Sequence, residues 1–285
     1  MQGVQQKRFA STGQSVAVIG QGTWDLPESG SRRQEAIGAL RRGIELGMTH
    51  IDTAEMYGSG RVEEIVGDAI AGLDRAALFL TSKVLPSNAS YAGTIAACER
   101  SLRRMRVDHL DLFLLHWPSS HPIEKTMHAL QDLVRQGKTR FAGVSNFDVD
   151  ELREAQAHLS DVPMVCDQVL YHMKERGPES RLIPYCAQQE IAVVAYTPFG
   201  RGRFPYKEAA PDGIIGRVAQ KYGKTVRQVI LNFLTREANV FAIPKASKIE
   251  HVEENAGAAG WTLEREDADA ISGAFPVQHG PLATL

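Results

Sequence analysis

Residues 77–116 read ALFLTSKVLPSNASYAGTIAACERSLRRMRVDHLDLFLLH, and the reading of this stretch decides the fold class. Its two ends, 77–84 and 110–116, are short apolar runs of the kind that form buried strands. Between them, SYAGTIAACERSLRRMR (90–106) repeats its apolar residues at helical spacing. Strand, helix and strand in that order predict a parallel βαβ unit.

The same alternation recurs outward in both directions. Further apolar runs lie at 18–23, 48–52, 140–144, 163–168, 191–196 and 239–243, which makes eight strands in all. SRRQEAIGALRRGIELG (31–47) and EKTMHALQDLVRQG (124–137) are helical in period and end on Gly47 and Gly137, where left-handed C-caps belong. Eight strand–helix units predict a closed (β/α)8 barrel rather than an open sheet. Three additions decorate it. KRFASTGQSVAV (7–18) reads as a hairpin turning at Thr12–Gly13, two helices (212–222 and 226–236) separate the last two strands, and a short helix follows near 264–272. A length of 285 residues suits one such barrel, and no linker or low-complexity segment divides it, so 1–285 is read as a single domain.

Composition narrows the function. Apolar residues make up 43% and charged residues 23%, values that exclude a disordered chain. The net charge is −2, with Lys and Arg spread along the chain, which gives no footing for nucleic acid or an anionic membrane. The cysteines are Cys98, Cys166 and Cys186, and no pair has metal-ligand spacing. They read as reduced thiols of a cytosolic protein. No apolar run approaches the ~18 residues of a membrane span, and MQGVQQKRFASTGQ lacks the apolar core of a signal peptide. The expectation is a cytoplasmic monomer without a metal, acting on a small molecule.

Reactive residues of such barrels lie at the C-terminal ends of strands and in the loops that follow. Here the second strand leads into HIDTAEMYG (Asp52, Tyr57), the third into LTSKV (Lys83) and the fourth into DLFLLHWP (His116). Singly, each has an ordinary explanation: a helix cap, a solvated lysine, a satisfied core histidine. Together, at three consecutive strand ends, they point to proton chemistry on a carbonyl. A phenol with a pKa near ~10 is a poor donor at neutral pH, and a neighbouring cation lowers that value. Lys83 is read as that cation, Asp52 as its counter-ion, and neutral His116 as the group that orients the carbonyl. The hydride must come from a cofactor.

These segments, with GVSNF (143–147) and IPKAS (243–247), resemble the aldo-keto reductase family over nearly the whole chain, most of all its bacterial members of the methylglyoxal reductase and diketogluconate reductase type. The resemblance implies that NADPH binds extended across the rim, with NADH as a weaker alternative, and that Tyr57 protonates the carbonyl oxygen. It implies nicotinamide contacts from Ser145, Asn146 and Gln168, and ring stacking from Tyr196. Thr197 and Phe199 match pyrophosphate positions, and Gly22 and Thr23 match backbone contacts of the first strand. Lys245, Ser247 and Lys248 fall near the adenosine phosphate, and Glu254 and Asn255 fall at adenine. A GxGxxG turn is absent after the first strand, against a Rossmann site.

The sequence departs from that family in three places. Ala246 stands in the phosphate box, and His251 stands where arginine is usual. Arginine grips phosphate with a permanently charged planar fork, whereas histidine is charged only part of the time near neutrality. The preference for NADPH is therefore expected to be weaker than usual, with affinity rising as pH falls. GSGRV (58–62) lengthens the segment after Tyr57, and Asp167 replaces an asparagine beside Gln168.

Trp24 and Trp117 are the expected pocket walls. Short loops such as PSSHP (118–122) favour small aldehydes and 2-oxoaldehydes, methylglyoxal first, over bulky ketones. Two other classes compete. A non-catalytic or redox-sensing subunit could use the same fold. A metal-dependent hydrolase would need clustered ligands at strand ends, and GQGTW (20–24) offers none.

Overall fold

A computed structural model describes residues 3–201 and 207–284. The chain opens with an antiparallel hairpin, β1 (Gln6–Arg8) and β2 (Ser15–Ala17), whose turn passes through Gly13 at φ 71°. Eight parallel strands follow: β3 (Gln21–Gly22), β4 (His50–Asp52), β5 (Phe79–Val84), β6 (Leu110–Leu115), β7 (Thr139–Ser145), β8 (Met164–Leu170), β9 (Ala192–Tyr196) and β10 (Val240–Ala242). They pair in chain order from β3 to β10. Bridges Ile19↔Ala242 and Gly22↔Lys245 join the first strand to the last and close the barrel. Gly22 permits that closure, since a Cβ there would lie 2.5 Å from the Ile243 carbonyl oxygen.

Each strand is followed by helix. In order these are α1 (Gly30–Glu45), α2 (Arg61–Ile70), α3 (Tyr91–Met105), α4 (Ile123–Arg135), α5 (Val149–Ala157), α6 (Leu182–Gln188), α7 (Ile214–Tyr222), α8 (Val226–Leu234), α9 (Ile249–Ala256) and α10 (Arg265–Ala274). The local reasons are visible in α3. Ser90 accepts from the Gly93 N–H at its start, Arg106 ends it in the left-handed region, and Thr94, Ala97, Cys98, Ser101 and Met105 form its buried face. Gly47 and Gly137 have positive φ, as expected of C-cap glycines. The two helices between β9 and β10 are α7 and α8, and α8 begins with a capping box of Thr225 and Gln228.

Strand period sorts the core. On β6, Leu112 and Leu114 join Phe79, Val194 and Phe241 inside the barrel, while Phe113 and Leu115 pack outward against helices. The hairpin stoppers the end where strands begin. Phe9 is fully buried, with its ring centroid 4.9 Å from those of both Phe79 and Phe241. The opposite rim stays open.

Two element bounds differ from expectation for local reasons. The 77–84 run enters the sheet only at Phe79, because Arg75–Ala77 form a 3-10 turn capped by Asp74. In the 18–23 run only Gln21–Gly22 ladder with β4, because the preceding residues are still leaving the hairpin, where the Val18 N–H bonds to the Gln5 carbonyl. No helix among the described residues is long and apolar enough to cross a membrane.

Candidate active site

Asp52 closes β4, Lys83 lies one residue before the end of β5, and His116 follows β6. Alternation along β5 aims Lys83 inward, while its neighbour Ser82 turns outward and donates to Glu63 of α2 at 2.6 Å. Lys83 is wholly buried and donates to Asp52 Oδ1 at 2.6 Å and to the Thr53 carbonyl at 2.8 Å. Its Nζ is 3.5 Å from the Tyr57 hydroxyl. Tyr57 reaches this point because the GSGRV segment is taken up by a tight turn. Gly58 and Ser59 both have φ 54° and Gly60 has φ 94°, and α2 starts immediately after. The four residues read from three consecutive strand ends therefore meet at one place.

Burial alone would discharge Lys83, but contact with Asp52 and Tyr57 more than offsets it, and the lysine pKa moves up. Asp52 is raised by burial, against the pull of Lys83 and of Gln168, whose Nε2 donates to Oδ2 at 2.7 Å. Tyr57 corrects the sequence reading. Lys83 does pull its pKa down, but burial of the phenol outweighs that pull and the net shift is upward. The phenol is accordingly protonated at neutral pH, with its proton held ready beside a cation.

His116 is pushed down to about 2, first by burial and then by Lys83, so it is neutral as expected. Its Nδ1 is buried without a hydrogen-bond partner. An unpaired lone pair is tolerated better than an unpaired N–H, which assigns the hydrogen to Nε2, on the pocket side. The His116 ring packs edge-on to Tyr57, with 5.8 Å between centroids.

A pocket of about 200 Å³ opens above this group, lined among others by Trp24, Trp117, Ser145, Asn146, Gln168, Tyr196 and Thr197. The polar members form one network. Asn146 Nδ2 donates to the His116 carbonyl at 3.1 Å and to Ser145 Oγ at 3.0 Å, Ser145 Oγ donates to the Gln168 carbonyl at 2.7 Å, and the Tyr196 hydroxyl donates to Asn146 Oδ1 at 2.7 Å. Asn146 and Thr197 take left-handed backbone, φ 63° and 54°, uncommon for residues with a Cβ and frequent where a site re-aims the chain. Amide and hydroxyl groups beside an aromatic ring suit a nicotinamide carboxamide. Gly22 lies against the last strand, and the Thr23 hydroxyl is used internally, donating to the Asp52 carbonyl at 2.8 Å.

Farther along the rim, Lys245, Lys248 and His251 are exposed around the N-terminus of α9, where Lys248 provides no side-chain cap. The helix thus presents open N–H groups with cations about them, a fit for phosphate. Ser247 is half-buried there, Ala246 and Asn255 are buried, and Glu254 is half-buried. Two cations escaped the sequence reading. Arg227, from α8, lies 5.1 Å from the Phe199 ring and 3.8 Å from Glu254 Oε2. Arg201 lines the reaction pocket and stacks on Trp24. Arg227 lies on a helix away from any strand end, whereas Arg201 lies in the loop after β9, where its residue type alone gave no motif. Asp167, left unassigned from sequence, is fully buried on β8 with neither carboxyl oxygen in a hydrogen bond. Burial pushes its pKa well up, more strongly than the nearby Phe147 backbone N–H holds it down.

Comparison with known proteins agrees with this geometry. The profile of the Aldo/keto reductase family matches residues 18–274. The chain is 40% identical over 281 residues to methylglyoxal reductase YeaE of Escherichia coli, covering 98% of this chain and 99% of that protein. It is 38% identical to glyoxal reductase of Bacillus subtilis, covering 83% and 82%. An aldo/keto reductase from Klebsiella pneumoniae, solved with NADP and acetate, superposes with a TM-score of 0.92 at 39% identity, covering 99% of this chain and 100% of the other. With a closed barrel, the four candidate side chains gathered at its rim and relatives aligned from end to end, this chain belongs to the aldo/keto reductase family.

Proposed function

We propose that this enzyme reduces small aldehydes and 2-oxoaldehydes, methylglyoxal first, to alcohols with NADPH. The observation that carries the reading is the protonated Tyr57 phenol 3.5 Å from the buried Lys83 ammonium, at the floor of a pocket of about 200 Å³. That volume suits a carbonyl compound of a few heavy atoms rather than a polycyclic ketone. Relatives named for methylglyoxal and glyoxal reduction support the substrate class. The Klebsiella homologue, solved with NADP, supports the cofactor.

Each residue then has a task. When bound, the nicotinamide supplies the hydride. His116 Nε2–H donates to the substrate oxygen and sets its direction. Tyr57 delivers its proton to that oxygen as negative charge grows there. Lys83 stabilises the phenolate left behind, and Asp52 keeps Lys83 charged without water. Ser145, Asn146 and Gln168 hold the carboxamide, Tyr196 supports the ring, and the α9 N-terminus with Lys245, Lys248 and His251 takes the adenosine phosphate.

NADPH absorbance should decay with methylglyoxal in the absence of added metal, and Tyr57→Phe should lower kcat by at least ~100-fold. Wild-type protein that binds NADPH yet turns over no aldehyde would favour a non-catalytic role. Turnover retained in Tyr57→Phe would remove the proton-donor assignment.

A further inference from the structure

The pocket lining is mostly aromatic or neutral: Trp24, Met56, Tyr57, Trp117 and Tyr196 dominate it, and among the described residues Arg201 is its one charged member. Arg201 follows β9 and is exposed at the pocket mouth. Its guanidinium carbon lies 4.1 Å from the centre of the Trp24 ring. No acidic side chain among the described residues forms an ion pair with it. Stacking on an indole orients a guanidinium and limits its freedom while leaving its N–H fork unspent. A planar fork held this way matches a carboxylate, which it can grip through two parallel hydrogen bonds. Its charge is also felt at the Tyr57 hydroxyl, so it stands within electrostatic reach of the reacting carbonyl.

We propose that Arg201, braced on Trp24, selects substrate: it receives the carboxylate of short aldehydes that carry an acid group and favours them over neutral aldehydes of the same length. This rests on the reductase reading above and extends it to anionic substrates. The small pocket limits the separation, so the acid lies only a few bonds from the carbonyl. The diphosphate of the cofactor presents anionic oxygens of the same kind, and the test separates the two sources.

Wild type, Arg201→Gln and Arg201→Lys would be assayed with succinic semialdehyde and with butanal, which has the same chain without the acid, at saturating NADPH. NADPH affinity is read independently from quenching of tryptophan fluorescence. In Arg201→Gln the ratio of kcat/KM values, charged over neutral, should fall on the order of 10–100-fold, the loss of a charge-assisted contact. The fall should sit mainly in KM, Arg201→Lys should recover part of it, and added salt should lower the wild-type ratio. Binding of succinic semialdehyde to NADP+-loaded protein, followed by the same fluorescence, should weaken in parallel without any need for turnover. An unchanged ratio overturns the proposal. So does a ratio that stays put while NADPH affinity drops, which would give the guanidinium to the cofactor diphosphate. Failure of wild type to reduce methylglyoxal would strike the reductase reading instead, and the binding measurement would still decide the role of Arg201.

Discussion

Removing Lys83 should cost more stability than removing the whole ion pair it belongs to. Lys83 and Asp52 are 0% and 2% exposed, and 2.6 Å separates their charged atoms. In Lys83→Met, Asp52 keeps one side-chain hydrogen bond, from Gln168, and loses its cation. Breaking one side of a buried pair typically costs ~3–5 kcal/mol, because a buried charge is left uncompensated. For a chain of this size that is a drop in Tm on the order of 10 °C. The double variant Asp52→Asn/Lys83→Met has no orphan charge and should lie closer to wild type than Lys83→Met does. The pH dependence carries the mechanism. Asp52 is already raised by burial, and loss of Lys83 removes the main opposing pull. In Lys83→Met the folded state therefore holds a proton on Asp52 that the unfolded state has released above about pH 4, so stability falls as pH rises through neutrality. Thermal and urea unfolding of wild type, Lys83→Met, Asp52→Asn and the double variant at pH 6 and pH 8 would measure this. A loss under about 1 kcal/mol in Lys83→Met, or a double variant less stable than the sum of the singles, would refute the reasoning.

Two further outcomes follow from particular residues. Asp167, with both oxygens unpaired and its pKa pushed well up by burial, is protonated when folded and ionised when unfolded. It therefore subtracts stability progressively as pH rises above about 4, and Asp167→Asn should flatten the fall in Tm between acid and alkaline buffer, with equal slopes counting against it. His251→Arg should raise the preference for NADPH over NADH by on the order of tenfold, read as a ratio of dissociation constants from fluorescence quenching. A parallel gain for both cofactors would place residue 251 away from the 2′-phosphate.

The barrel was legible in the sequence because its signals are local and periodic. Buried strands need apolar runs, their covering helices need a 3.6-residue stripe, and eight repeats of that alternation leave few architectures. Asp52 and His116 stood out for the same reason, since each interrupts or closes an apolar run where a polar group needs a partner. Even the bounds that moved, at residues 18 and 77, moved for local reasons of turn and cap.

What the tertiary structure alone decided concerns balances between distant segments. Whether the Tyr57 phenol is pulled down by Lys83 or pushed up by burial depends on how fully the rim encloses it, and burial prevails. Whether Asp167 finds a partner depends on what packs over β8, and among the described residues only the nearby Phe147 backbone N–H draws on its carboxyl, outside hydrogen-bond geometry. Arg201 reaches Trp24, and Arg227 reaches Phe199 and Glu254, only because elements far apart in the chain converge at the rim. Sequence period reports which face a residue takes within its own element. It does not report what another element brings to that face, and there the sequence by itself was silent on where the charges gather.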